Sequence, residues 1–163
     1  MNVFNATIPT QDVKNVHIRN NAFYADSGAT ILSVSVDQLN GAIDLRFEGN
    51  NYWGRVAPPK FIWGNSTYVG LDAWRTASGQ ESLGGSPTGF AVAPIFNAPG
   101  AGGTIGNADL LANLTAYKLK STSPLINKAL NLLQFGVNQG SNDFWSQTTP
   151  FGSQYDIGAH EWR

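Results

Sequence analysis

Apolar and polar positions alternate in three short runs near the start of the chain. Val16-His17-Ile18, Ile31-Leu32-Ser33-Val34-Ser35-Val36 and Ile43-Asp44-Leu45-Arg46-Phe47 carry the two-residue period of half-buried strands. The first and third runs lead into the same kind of corner. Ile18-Arg19-Asn20-Asn21-Ala22-Phe23-Tyr24 and Phe47-Glu48-Gly49-Asn50-Asn51-Tyr52-Trp53 match class by class, from apolar and charged through small polar and Asn to two aromatics, at an offset of 29 residues. Such a period marks a repeat architecture. Asn tolerates left-handed backbone and bonds its own neighbours, so it suits sharp corners, and stacked Asn side chains form ladders. The pattern predicts a mainly β chain: a short right-handed parallel β-helix over residues 1–55, then an irregular, partly helical C-terminal cap over 56–163. Two unrelated hairpins with Asn-rich turns are the competing reading.

After Trp53 the periodicity changes. Gly54–Ile62 contains Pro58-Pro59 and reads as an extended connection. Asn65-Ser66-Thr67 offers capping side chains to a short helix with Tyr68, Leu71, Trp74 and Ala77 on one face, and Gly79 is placed to stop it. Gln80–Gly103 is loop-like around the run Phe90–Phe96, where Pro94 favours an extended lining segment over a central strand. Asn107 is placed to cap a helical turn through Asp109-Leu110-Leu111. Ser123-Pro124 predicts a further helix, with Leu125, Ile126, Ala129, Leu130 and Leu133 at helical spacing.

Composition narrows the function classes. Only 13% of the 163 residues are charged, with a net charge of −1, which argues against a nucleic-acid footprint or a polybasic membrane patch. Five Trp, nine Phe and five Tyr supply a core in place of disorder. The absence of Cys removes disulfides, thiol nucleophiles and Cys-ligated metals. No basic start and apolar core mark the N-terminus as a signal peptide, and no window has the length of a membrane span. Met1 is either a true start or a start placed inside a longer protein.

Residues 52–161 resemble the C-terminal end of bacterial right-handed parallel β-helix repeat proteins. The matching pieces, in order, are Asn51-Tyr52-Trp53, Phe61-Ile62-Trp63-Gly64, Tyr68–Arg75 and Gly79-Gln80-Glu81. They continue through Pro94-Ile95-Phe96 and Leu119–Asn127 to Asp156-Ile157-Gly158-Ala159-His160-Glu161. The resemblance implies a last coil plus irregular segments that run back along the β-helix and close its end. It also implies a secreted or cell-surface protein in a polysaccharide context, as lyase, glycosidase or adhesin. Here only two or three coils precede the closing segment, whereas repeat architectures generally need three or more units with capped ends. The expectation is a C-terminal fragment, or an open N-terminal coil covered by another copy.

Sugar hydrolysis commonly uses two carboxylates in contrasting environments. Asp72 and Glu81 are the candidates, with Arg75 as a cation to stabilise developing negative charge; Arg55 and Lys60 are alternatives for that role. Asp72 also reads as a solvated or Arg-paired helix residue. Asp156 and Glu161 read as a structural closing turn, His17 as outward-facing, and His160 as exposed or part of a structural hydrogen-bond pair. Two distant His without Cys imply no metal site, and no cofactor is implied. Gly100–Gly106 lacks the Lys of a phosphate loop and reads as flexible. The sequons at Asn5, Asn65 and Asn113 are expected by chance. Tyr52, Trp53, Phe61, Trp63 and Trp74 fall within 23 residues. They either pack the core or form a platform on which sugar rings stack. Trp53, Trp63, Tyr52 and Arg55 are the candidate ligand-binding residues. The expected function is a non-catalytic, carbohydrate-associated closing module. The alternatives are a small polysaccharide-degrading enzyme and an adhesin or self-assembling segment.

Overall fold

The computed structural model describes residues 13–101 and 106–163, so the sequon at Asn5 and four residues of the 100–106 loop lie outside it. The chain is mainly β, with few helices. Three strands, β1 (Lys14–Arg19), β2 (Ala22–Ala25) and β3 (Thr30–Val34), are followed by three more, β4 (Ile43–Glu48), β5 (Asn51–Gly54) and β6 (Lys60–Trp63). Each strand of the second layer pairs in parallel with its counterpart in the first, β1 with β4, β2 with β5 and β3 with β6. The 29-residue echo is the register itself: Ile18 lies beside Phe47, Phe23 beside Tyr52, and Tyr24 beside Trp53. The sheets remain two- or three-stranded, too small to make a solenoid by themselves.

The offset places complementary side chains on one another. Arg19 Nε donates to Glu48 at 2.6 Å, and both side chains are largely buried. Phe23 stacks on Tyr52 with centroids 5.1 Å apart, and Arg55 pairs with Asp26. At the corner, Asn20 (φ +58°) and its counterpart Gly49 (φ +70°) both adopt the left-handed backbone that only Gly and Asn tolerate cheaply. Glycine is also needed at 49 for space, because a Cβ there would sit 2.7 Å from Leu130 Cγ.

Two expectations for the following segment change. Lys60–Trp63 is a strand instead of a plain connection, and Ser66–Val69 forms β7, antiparallel to it across the turn Gly64-Asn65. Thr67, Tyr68 and Val69 fit a pleated surface, and the free edge of β6 offers them hydrogen bonds that a helix would not share. A four-residue helix, α1 (Val36–Leu39), shortens the second predicted run; Ser35 and Gln38 cap it reciprocally. The longer helix α2 (Leu71–Ser78) begins after Gly70 without a side-chain cap and ends on Gly79 in the left-handed region. Leu71 and Trp74 are its buried residues, while Tyr68 packs on the same core from β7. Trp74 stacks on Phe61 (4.6 Å) and meets Phe47, Tyr52 and Trp63 edge-on, closing the main core.

The remainder is irregular and carries a second core of Leu119, Leu125, Ala129 and Ile157. Asn107 caps a 3-10 segment at Ala108–Asn113, accepting from the Asp109 N–H as its sequence position suggested. No helix opens at Ser123-Pro124. Instead the Ile157 N–H donates to the Leu125 carbonyl, the Ala129 N–H donates to the Tyr155 carbonyl, and Asn127 turns left-handed at φ +56°. The backbone groups that would build a helix are taken by the tail, leaving only a 3-10 turn at Leu132–Phe135. Among the described residues no helix is long and apolar enough to cross a membrane.

Candidate functional site

The corner asparagines organise a buried polar column. The Asn50 amide oxygen accepts from the Asn21 N–H (2.9 Å) and the Asn21 side-chain amide (3.1 Å). Its Nδ2 donates to the Ile18 carbonyl (2.8 Å) and to Glu81 Oε1 (2.6 Å). Glu81 therefore continues the ladder that Asn21 and Asn50 begin. Its carboxylate has no exposure to solvent, and it also accepts from the Tyr52 hydroxyl (2.8 Å), the Asn50 N–H (3.3 Å) and the Thr88 hydroxyl (3.3 Å). Burial raises its pKa above the usual Glu value, opposed by the hydrogen bonds from Asn50 and Tyr52. The Tyr52 hydroxyl is pushed upward by the same burial and by the neighbouring carboxylate. Glu81 holds a left-handed backbone (φ +51°), and its N–H donates to the Phe47 carbonyl at 2.7 Å.

Two further asparagines clamp the segments that run back along the strands. Asn51 grips Val92 through both backbone groups, its Nδ2 donating to the carbonyl and its Oδ1 accepting from the N–H, each at 3.1 Å. Asn20 does the same to Leu130, at 2.9 and 2.8 Å. Each primary amide presents a donor and an acceptor side by side, as a neighbouring strand would. Sequence reasoning valued these asparagines for their backbone freedom and missed the clamps; the signal available was the Asn-rich corner itself.

Each strand of the second layer has hydrogen-bond partners on its outer edge. β7 covers β6; Tyr52 N–H donates to the Phe90 carbonyl and Phe90 N–H to the Asn50 carbonyl, both at 2.9 Å, covering β5. Gln80 covers β4, accepting from Phe47 N–H (2.8 Å) and donating to the Leu45 carbonyl (3.2 Å). Among the described residues, β1, β2 and β3 have a strand partner on one side only.

The candidates from sequence separate into different places. Asp72 is exposed and bonds Arg75 at 2.5 Å. Arg75 also donates from Nε and Nη2 to two carbonyls, of Glu81 (3.2 Å) and Gly89 (2.9 Å). It braces the loop that carries Glu81, while the Glu81 carboxylate turns into the core. Tyr52 is fully buried, which removes it from any ligand platform: its ring faces Phe23 on one side and its hydroxyl is committed to Glu81. Trp63 is partly buried and packs against Phe47 and Trp74. Trp53, Arg55 and Asp72 do meet, along a groove of about 560 Å³ walled by Pro58, Pro59 and Val69.

In the tail, Asp156 accepts from the Asn127 and Trp162 N–H groups (2.7 and 2.8 Å), and Glu161 from those of Phe151 and Asp156 (2.6 and 3.3 Å). Burial raises the pKa of both. His160 accepts from the Leu119 N–H at 3.1 Å and lies edge-on to Trp145; burial lowers its pKa. His17 faces outward and bonds Asp44 at 2.7 Å. Among the described residues no group of three His, Asp or Glu is placed to hold a metal ion.

A larger groove of about 770 Å³ runs between β2 and the tail, with Tyr24, Phe96, Tyr117 and Trp145 in its walls. No family model matches this chain, and neither a curated protein nor a solved structure gives a significant match to it.

Proposed function

We propose that the chain is the closing end of a right-handed parallel β-helix, a non-catalytic module of a secreted or cell-surface protein that associates with polysaccharide. The observation that carries this reading is the one-sided coverage of the strands. The outer edge of β6 is paired with β7, and β4 and β5 carry local hydrogen bonds on theirs, from Gln80 at Leu45–Phe47 and from Phe90 at Asn50–Tyr52, while the first layer has a strand partner on one side only among the described residues. An unpaired edge is a template for further pairing; a sealed one is not. The polysaccharide context comes from the resemblance to β-helix repeat proteins, and the groove holding Trp53 and Arg55 offers an aromatic and a polar wall suited to it.

Hydrogen exchange tests the closing role. Coils of the same 29-residue pattern fused ahead of the chain should slow exchange of the β1, β2 and β3 amides; the same coils fused behind Arg163 should not. Equal protection from both fusions would overturn the reading. A saccharide-turnover assay tests the non-catalytic part: release of reducing sugar that disappears in Asp72→Asn would sink it. The first layer, with a strand partner on one side only among the described residues, also favours a second reading, stacking on another copy, which sedimentation checks as concentration-dependent association.

A further inference from the structure

The larger groove has the chemistry of a binding site. Tyr24 meets Phe96 edge-on at 6.1 Å, and Phe96 meets Tyr117 at 6.4 Å, so three rings form a continuous wall. Tyr117 is 38% exposed, which leaves part of that wall open to solvent. The groove's volume lies within the range of roughly 300–1,000 Å³ typical of ligand sites.

Two of its polar groups are unspent. The side-chain carbonyl of Gln139 and the indole N–H of Trp145 both belong to residues lining this groove. Both are buried and neither has a hydrogen-bond partner. Leaving such groups unpaired costs about 1–3 kcal/mol each, so their coincidence at one groove asks for a partner. Lys118 lies over one face of Trp145, 5.2 Å from the ring centroid, so this residue's free chemistry is its N–H. His160 Nδ1 is occupied by Leu119, and in the neutral ring the proton then sits on Nε2 as a further donor.

The charges at the groove cancel. Arg19 is paired with Glu48, Asp26 with Arg55, and burial favours the neutral form of His160. Among the lining residues themselves a polyanion finds no free cation; the nearest is Lys118, held over the face of Trp145. A ligand with flat apolar faces and groups that both donate and accept hydrogen bonds does find its complement. Sugar hydroxyls donate to a carbonyl and accept from an N–H, whereas a proline-rich peptide offers aromatic walls only acceptors.

We propose that this groove binds a neutral oligosaccharide, with ring faces against Tyr24, Phe96 and Tyr117 and hydroxyls on Gln139, Trp145 and His160. The inference rests on the polysaccharide-associated reading and gives it a place distinct from the Trp53 groove. Because the Gln139 carbonyl and the Trp145 N–H are buried, binding includes a small side-chain adjustment that opens them to the ligand.

Calorimetric titration of the whole chain with cellohexaose, xylohexaose, mannohexaose and maltohexaose tests it, alongside hexagalacturonate and decaproline. At least one neutral hexasaccharide should bind. Tyr117→Ala, an exposed position that leaves both cores intact, should weaken it about fivefold, equivalent to about 1 kcal/mol. Trp145→Phe, which keeps a ring and deletes the N–H, should weaken it about three- to tenfold. Circular dichroism confirms that both variants fold. Binding of only hexagalacturonate or decaproline would overturn the proposal, as would no binding at all. Saccharide binding lost in Trp53→Ala but untouched in Tyr117→Ala would overturn this groove while leaving the carbohydrate-associated reading standing. The closing role is decided separately by the exchange experiment.

Discussion

Replacing Glu81 separates two ways in which a buried carboxylate can matter. Glu81→Ala removes the acceptor for the Tyr52 hydroxyl, for one Asn50 Nδ2 proton and for the Asn50 N–H, all inside the core. Each stranded donor costs about 1–3 kcal/mol, partly offset because an alanine no longer carries a desolvated charge. The expected net loss is about 4 kcal/mol. In a domain of this size that lowers Tm by roughly 12 °C. Glu81→Gln keeps Oε1 for Tyr52 and Asn50, and its new NH₂ faces the Thr88 hydroxyl, which can accept. It should stay within about 1 kcal/mol of the parent. Urea denaturation followed by tryptophan fluorescence, compared through the midpoint at constant slope, measures both. A Glu81→Ala midpoint equal to the parent would refute the ladder argument. A Gln variant as damaged as the Ala variant would show that the charge, and not the hydrogen-bond pattern, is what the site requires.

The pH dependence follows from the same residue. A raised native pKa means that the folded state binds the proton more tightly than the unfolded chain, so this group's contribution to stability is greatest in acid. It declines as pH rises from the ordinary Glu value of 4.5 through the raised native one. The stability of Glu81→Gln relative to the parent should therefore improve across that window; a flat difference would contradict the sign. Asn20→Ala and Asn51→Ala each delete a two-bond clamp and should cost about 2–3 kcal/mol by chemical denaturation. Gly89→Ala puts a Cβ 2.6 Å from Glu81 Oε2 and should lower the thermal midpoint by several degrees, corresponding to about 1–3 kcal/mol of overpacking. Asp72→Asn breaks an exposed ion pair and should change stability by less than about 0.5 kcal/mol on the same assay.

Legibility from sequence followed the range over which each signal acts. The 29-residue echo was visible because parallel register repeats side-chain classes, and it located β1 and β4; that the corner residues run on into β2 and β5, and that Arg19 meets Glu48 and Phe23 meets Tyr52, was seen only in the structure. Gly79 and Asn107 were readable because caps are local. The Ser123–Leu133 helix failed because its periodicity was real while its backbone bonds went to Tyr155 and Ile157, some 26–32 residues further on. β7 was hidden because an edge strand is decided by the edge it completes. At the candidate sites, Trp53, Arg55 and Asp72 were each singled out in the sequence, for different roles, and only the structure places them along one groove. The wall of Tyr24, Phe96 and Tyr117 draws on three segments far apart in the chain, and no local pattern brings them together.

The Asn20 clamp has a consequence in polymer statistics. It joins residues 110 positions apart, whereas the strand layers join residues 29 apart. Closing the longer loop costs about 1.2 kcal/mol more chain entropy, from the logarithm of the ratio of the two lengths. Chain entropy therefore favours closing the strand layers before the C-terminal third docks onto them. The asparagine that turns the first corner thus also carries the entropically costlier of the two closures.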